Sequence, residues 1–215
     1  MTERYPGYDV LAKQDTPSWN EATRRAIGER LAIEPEPRFF SQAEWRTLQA
    51  ICARILPQPP GRSSVPLAAY VDEKLLHDRR DGYRHAGLPP QGEAWRRGLA
   101  ALDAEAKAIG GRPFHQLEAA EQDAMLKAMQ DGLMKGPAWG GMACALFFGH
   151  RVLPDITRAY YAHPTAWNEI GFGGPASPRG YVRIGLDRRD PWEASEARPG
   201  REAKARAENG RVGRR

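Results

Sequence analysis

A chain of 215 residues and 24.0 kDa can bury the core of one domain, while a mean hydropathy of −0.65 places part of the length outside that core. The formal net charge of +5 is uneven, because residues 187–215 hold nine Lys/Arg against six Asp/Glu and so carry +3 of it. A nucleic-acid partner is excluded: the Arg pairs at 24/25, 79/80, 96/97 and 188/189 each have an acid within a few positions, the pattern of solvated helix faces and not of a basic stripe.

Taken in chain order, the first 38 residues hold Pro6-Gly7, Pro17, Pro35 and Pro37 around one short helical pattern from Asn20 to Leu31, which predicts an extended arm that wraps a partner. Arg24-Arg25 is followed by Ala26-Ile27-Gly28-Glu29 with no apolar run, so no export signal is expected. Phe39-Phe40 then leads into Ser41 with Glu44 three positions on, a capping box that opens a helix. Trp45, Leu48, Cys52, Ile55 and Leu56 follow at helical spacing and stop at Pro57. Past a proline-rich loop, Pro66 opens a second helix with Tyr70, Val71, Leu75 and Leu76 on its apolar face. A third runs from about Glu93 to Ile109 through Trp95, Leu99, Leu102 and Ala106, and Gly110-Gly111 stops it.

The fourth helix is expected from Leu117 to Leu133 with Met125, Leu126 and Met129 inward, and the fifth from about Met142 to Tyr161 through Leu146, Phe147 and Val152. Pro154 should kink or split the fifth. Strand-like alternation is nearly absent, so the fold class is all-α: an irregular bundle of about five main helices over residues 39–186. A short helical turn with Trp167 and Glu169 precedes a Gly/Pro loop, Ile170 to Gly180, and the stretch 187–215 reads as a flexible charged tail for lack of aliphatics. The longest apolar run, Ala143 to Phe148, is far short of a membrane span, so no direct membrane insertion is expected.

Chemistry-bearing motifs are scarce. Gly171-Phe172-Gly173-Gly174-Pro175-Ala176 has the outline of a dinucleotide fingerprint, but a helical pattern precedes it where that motif needs a strand. The histidines 77, 85, 115, 150 and 163 lack the spacing of a zinc helix, although His77, Asp78, Asp81 and His85 cluster near a helix end. His150 and Asp155 leave a catalytic dyad open as a second reading. Cys52 and Cys144 sit in apolar helical patterns and suit buried free thiols, with a disulfide as the alternative. No phosphate loop, haem-attachment motif or iron–sulfur cysteine run is visible, so neither catalytic residues, nor a cofactor, nor a metal site is expected in this chain.

Tyr160-Tyr161-Ala162-His163-Pro164, then Glu169-Ile170-Gly171-Phe172, then the run from Gly174 to Tyr181 resembles the C-terminal signature of the gluconate 2-dehydrogenase subunit 3 family. The Phe39-Phe40 helix start, the Ile55-Leu56-Pro57 helix end and the Phe114-xx-Leu117 helix entry extend that resemblance to about residues 38–186. It implies a non-catalytic small subunit that binds, stabilises or helps mature a large FAD-dependent dehydrogenase subunit, one that oxidises a sugar acid, sugar or alcohol. It further implies that FAD lies in the partner and that a cytochrome c subunit often takes the electrons. Subunits of this family typically bring a twin-arginine signal; this sequence departs from that, which points to the cytoplasm unless the partner carries the complex to the periplasm. The expected partner-binding residues are Tyr160, Tyr161, Trp167, Phe172, Gly173, Gly174, Pro175, Arg179 and Tyr181, with packing into the chain's own core as the competing reading for each aromatic. A free-standing enzyme using His150, Asp155 or His163, or an adaptor without a redox partner, is the alternative.

Overall fold

The computed structural model describes residues 3–58, 64–175 and 193–212. Its helices are α1 (Glu21–Leu31), α2 (Gln42–Ile55), α3 (Leu67–Leu76), α4 (Gln91–Gly110), α5 (Ala119–Gln130), α6 (Cys144–Phe147), α7 (Leu153–Tyr161), α8 (Pro164–Ile170) and α9 (Glu202–Asn209). Among the described residues there is no β-strand, so the protein is an all-α helical bundle. The sequence suggests an arm over 1–38, a body over 39–186 and a tail over 187–215. By compactness the chain divides differently: one unit is Ile33–Tyr160, and the other joins Met1–Ala32 to Tyr161–Arg215.

The unit of residues 33–160 is built on α2 and α4. Ser41 caps α2 by accepting the Glu44 amide while the Glu44 carboxylate accepts the Ser41 amide, and Trp45, Leu48, Ile51 and Cys52 form the buried face. Thr47 is buried too, and its hydroxyl donates to Asp103 of α4, whose carboxylate also accepts the Phe114 amide. One carboxylate thus ties two helices to the turn that leads into α5. Trp95 is the centre of the core: its ring meets Phe147 edge-on at 5.3 Å and Phe40 at 6.3 Å. The backbone of α4 crosses close above Phe147, for a Cβ added at Gly98 would lie 2.3 Å from that ring. Asp72 of α3, also buried, accepts the amides of Arg38, Phe39 and Phe40 and so fixes the entry to α2.

Asp155 is a second buried carboxylate of this unit. Its two oxygens accept from Lys74 Nζ at 2.7 Å and Trp95 Nε1 at 2.9 Å. Lys74 also reaches Asp81, which Arg151 and Arg158 bond at 3.0 and 3.2 Å. Burial alone would raise the Asp81 carboxyl, but its bonds to Lys74 and Arg151 outweigh that and hold it below the usual carboxylate range. Breaking a buried pair of this kind by removing one partner typically costs about 3–5 kcal/mol, because the other charge is left without compensation.

Several helix bounds differ from the periodicity. The α5 helix starts at Ala119, since Leu117 closes the preceding 3-10 turn, and Leu133 lies beyond its end and is exposed. Leu76, expected on the inner face of α3, is also exposed, and the inward positions are Leu67, Ala68, Val71 and Leu75. The fifth expected helix is not interrupted at Pro154 itself. A π-helical turn, Phe148–Val152, joins α6 to α7 just before it. Proline has no N–H for the carbonyl four residues back and its ring crowds that carbonyl, and one widened turn relieves both.

The second unit overturns two expectations. The amino-terminal segment is not an arm: Tyr8, Val10, Trp19 and Ile27 share a core with Trp167, Ala194 and Val212. Asp9 caps a 3-10 turn, Val10–Lys13, and Asn20 caps α1. The charged tail, where described, is ordered as α9 and its approach. Alanines pack there where aliphatics are missing, with Ala194, Ala205 and Val212 buried. Asn209, buried beside them, donates to Pro6 O and Ser195 O and accepts the Ser195 amide. A second link across the chain ends runs from the Ala197 amide to Arg4 O at 2.8 Å. Hydrogen bonds from one asparagine therefore offset ordering entropy that the few apolar side chains cannot offset alone.

Candidate partner-binding surface

The residues expected to bind a partner lie at the end of α7, on α8 and on the turn after it. Arg179 and Tyr181 fall outside the described residues. Tyr160 is buried in the unit of residues 33–160, and Trp167 is buried in the core formed by the chain ends, so neither ring is displayed as an anchor. Core packing is the reading the structure favours for these two.

Trp167 instead organises its surroundings. His163 starts α8 by accepting the Thr165 amide on Nδ1 at 3.1 Å, and Pro164 supplies the preset first helical residue. Trp167 Nε1 donates to Tyr161 O at 2.7 Å, and Phe172 stands edge-on to the indole at 5.7 Å. The Arg30 guanidinium of α1 lies 5.9 Å from the same ring while donating to Ala162 O. Gly171 ends α8 with φ +69°, and a Cβ there would lie 2.4 Å from the Tyr5 ring. Gly174, buried with φ +67°, would place a Cβ 3.2 Å from both Trp167 and Val10. These glycines therefore let the turn press onto the amino-terminal segment, and Gly173 and Pro175 beside them are half-buried. The turn follows a helix, which leaves the outline of a dinucleotide fingerprint without its strand.

The segments that meet at Trp167 leave four large apolar side chains in the open. Tyr161 is 52 %, Ile170 47 %, Leu31 43 % and Phe172 38 % exposed. Tyr161 and Phe172 are among the residues the sequence offers as anchors, and both are exposed. The exposure of Leu31 and Ile170 has no such signal, because a helical period places Leu31 at the end of an apolar stripe and gives no sign that the stripe stops short of it.

The residues of the enzymatic alternative are engaged elsewhere. Asp155 serves Lys74 and Trp95, the His150 ring lies 4.8 Å from that of His85, and His163 caps α8. His77 pairs with Glu73 and Asp81 with Lys74, so the cluster near the end of α3 is spent on ion pairs. Among the described residues no group of three or more His, Cys, Asp or Glu side chains is placed to hold a metal. Cys52 and Cys144 are both buried free thiols, and burial raises the Cys52 thiol far above the range in which a thiolate forms. Among the described residues no helix is long and apolar enough to cross a membrane.

The family model for gluconate 2-dehydrogenase subunit 3 matches residues 42–174, more than half of the chain. The chain belongs to that family. The match takes in α2 to α8 and ends on Gly174, so Tyr161, Trp167, Ile170 and Phe172 lie within it, whereas Leu31, Tyr5 and α9 do not. No curated protein and no solved structure matches the chain. By its family the gluconate 2-dehydrogenase subunit 3 chain is a component of a dehydrogenase complex.

Proposed function

We propose that this chain is the non-catalytic small subunit of such a complex and that it binds and stabilises, or helps mature, a large FAD-dependent subunit acting on gluconate, another sugar acid, a sugar or an alcohol. The observation that carries the proposal is the exposure of Leu31, Tyr161, Ile170 and Phe172 on the segments that meet at the buried Trp167, in a chain whose family name is that of a complex subunit. Aromatic side chains with few rotatable bonds lose less conformational entropy on docking than long flexible ones, so less of the gain from the area they bury is offset. FAD belongs to the partner in this reading, and a cytochrome c subunit is the further component that takes electrons from it.

Affinity capture of the tagged native chain tests this. The expected result is a co-purifying large subunit with a flavin absorbance spectrum, and loss of that subunit when Tyr161 and Phe172 are both changed to alanine. Truncating such anchors should cost about 2 kcal/mol or more, roughly thirtyfold in affinity. Turnover of polyols or sugars by the isolated chain, or capture that the double variant leaves unchanged, would contradict the proposal.

A further inference from the structure

The loop between α3 and α4 closes on itself. Gln91, the first residue of α4, donates from its side-chain amide to Arg79 O at 3.0 Å and to Asp78 Oδ1 at 3.5 Å. Asp78 stands at φ +42°, in the left-handed region that a residue with a Cβ enters only at a cost, and its bonds to Arg80 and Gln91 hold it there. Leu88 is buried, its amide donates to His85 O at 3.0 Å, and its carbonyl accepts from the Arg84 guanidinium. A Cβ added at Gly87 would lie 2.9 Å from Leu146 of α6, and the His85 ring rests 4.8 Å from that of His150. The loop is therefore held in place by its own bonds and contacts, around an open cavity of about 380 Å³, a volume within the range of small-molecule sites.

Both carboxylates on the wall of this cavity are already bonded. Asp78 pairs with Arg80 at 2.5 Å, and Asp81 takes Arg151 at 3.0 Å, Lys74 at 2.8 Å and Arg158 at 3.2 Å. A cation entering the cavity would find acids that have partners and arginines beside them. The donors differ. Arg84 spends one N–H on Leu88 O and has no carboxylate partner among the described residues, and the Tyr83 hydroxyl bonds nothing there. His85 Nδ1 accepts the Gly87 amide at 3.0 Å, which leaves the proton of the neutral ring on Nε2 as a further donor. Arg80, Arg84 and Arg151 thus line the cavity against two carboxylates, and Arg84 is the surplus cation. Leu88, Pro89 and Pro90 add an apolar wall.

We propose that this cavity binds a small organic carboxylate, with the Arg84 guanidinium and the Tyr83 hydroxyl donating to the carboxylate and Leu88, Pro89 and Pro90 packing against its carbon body. A guanidinium presents paired N–H groups in the geometry of a carboxylate, and one surplus cation matches one negative charge. The site lies wholly within the unit of residues 33–160 and is independent of the docking role proposed above.

The test titrates the full chain with benzoate and with uncharged benzamide, by calorimetry and by amide chemical shifts. Benzoate is expected to saturate a single site, to shift the amides of residues 78–91 and 150–151, and to bind about tenfold or more tightly than benzamide. Arg84→Gln should weaken benzoate about tenfold or more and melt near wild type, since the side chain is exposed and makes one bond. Tyr83→Phe removes a hydroxyl that bonds nothing in the described chain, so it should weaken benzoate by a smaller factor, and it decides the matter should Arg84→Gln loosen the loop. Arg112→Gln, which removes the exposed partner of Glu121 in the same unit, controls for net charge and should bind as wild type does. No saturable binding of benzoate, equal binding of benzamide, benzoate binding unchanged in both Arg84→Gln and Tyr83→Phe, or an equal loss in Arg112→Gln would overturn the proposal.

Discussion

In the unit of residues 33–160, side-chain bonds join helices that are near one another in the chain: Thr47 to Asp103 spans 56 residues and Trp95 to Asp155 spans 60. In the unit made from the chain ends, Val10 reaches Asn168 across 158 residues, Lys13 reaches Gly173 across 160 and Asn209 reaches Pro6 across 203. The first unit has long helices with broad apolar stripes and a tryptophan at its centre. The second has short helices and holds together through single residues, a few glycines and one asparagine. The contrast teaches that two all-α regions of one chain can rest on different devices, burial by helix faces in one and point contacts with directional hydrogen bonds in the other.

The largest expected effect falls on the first unit. Gly98→Val would drive a branched side chain into the fully buried Phe147 ring, which lies 2.3 Å from the nearest Cβ position and has no free space to enter. A loss of about 3 kcal/mol is expected, with the amides of residues 33–160 losing protection in hydrogen exchange. Gly171→Ala makes the matching test in the second unit. Its Cβ would lie 2.4 Å from the Tyr5 ring and its φ is +69°, so overlap and left-handed strain add. Tyr5 is only partly buried and can swing aside, which limits the loss to about 1–2 kcal/mol in chemical denaturation. Equal losses at the two glycines would erase the distinction between a close-packed helix crossing and a point contact.

The smallest effect is pH-dependent. His163 caps α8 through Nδ1, which must be unprotonated to accept the Thr165 amide, and burial first and the Arg30 guanidinium second lower its pKa. The folded state thus prefers the neutral ring. Its contribution is complete above the ordinary histidine value near 6.5 and is lost as pH falls from there toward the depressed folded value, because the unfolded chain takes up the proton first. Loss of the cap should remove about 1 kcal/mol from the chain-end unit. His163→Asn keeps an acceptor at the cap without titrating, so melting curves of the variant between pH 7.5 and 5 should lack the part of the slope that the wild type owes to this ring.

Much of the first unit was legible in the sequence for a physical reason. The Ser41/Glu44 box, the Trp45–Leu48–Cys52 stripe and the Gly111 stop are local signals, and each is decided within a few residues of itself. Ile51, fully buried beside Cys52, was missed only because its stripe was drawn too narrow. The chain-end unit has almost no local signal. Nothing around Lys13 indicates that its ammonium will meet Gly173, and Ala194, Ala205 and Val212 look like residues of a solvated tail until Tyr8 and Trp19 are brought beside them. The same holds for the candidate surface: Tyr161 and Phe172 could be read from their residue type, but burial of Tyr160 and Trp167 depends on which neighbours arrive from elsewhere in the chain.

The difference between the two units is tested most directly by deleting residues 193–212 and following amide hydrogen exchange in residues 3–31. The Asn209 bonds to Pro6 and Ser195, the Ala197 bond to Arg4, and burial of Ala194 and Val212 against Tyr8 and Trp19 predict that protection in 3–31 falls sharply in the shortened chain. Protection in 3–31 that is unchanged by the deletion would contradict the account, because the tail would then be an appendage and the amino-terminal segment would be held by other means.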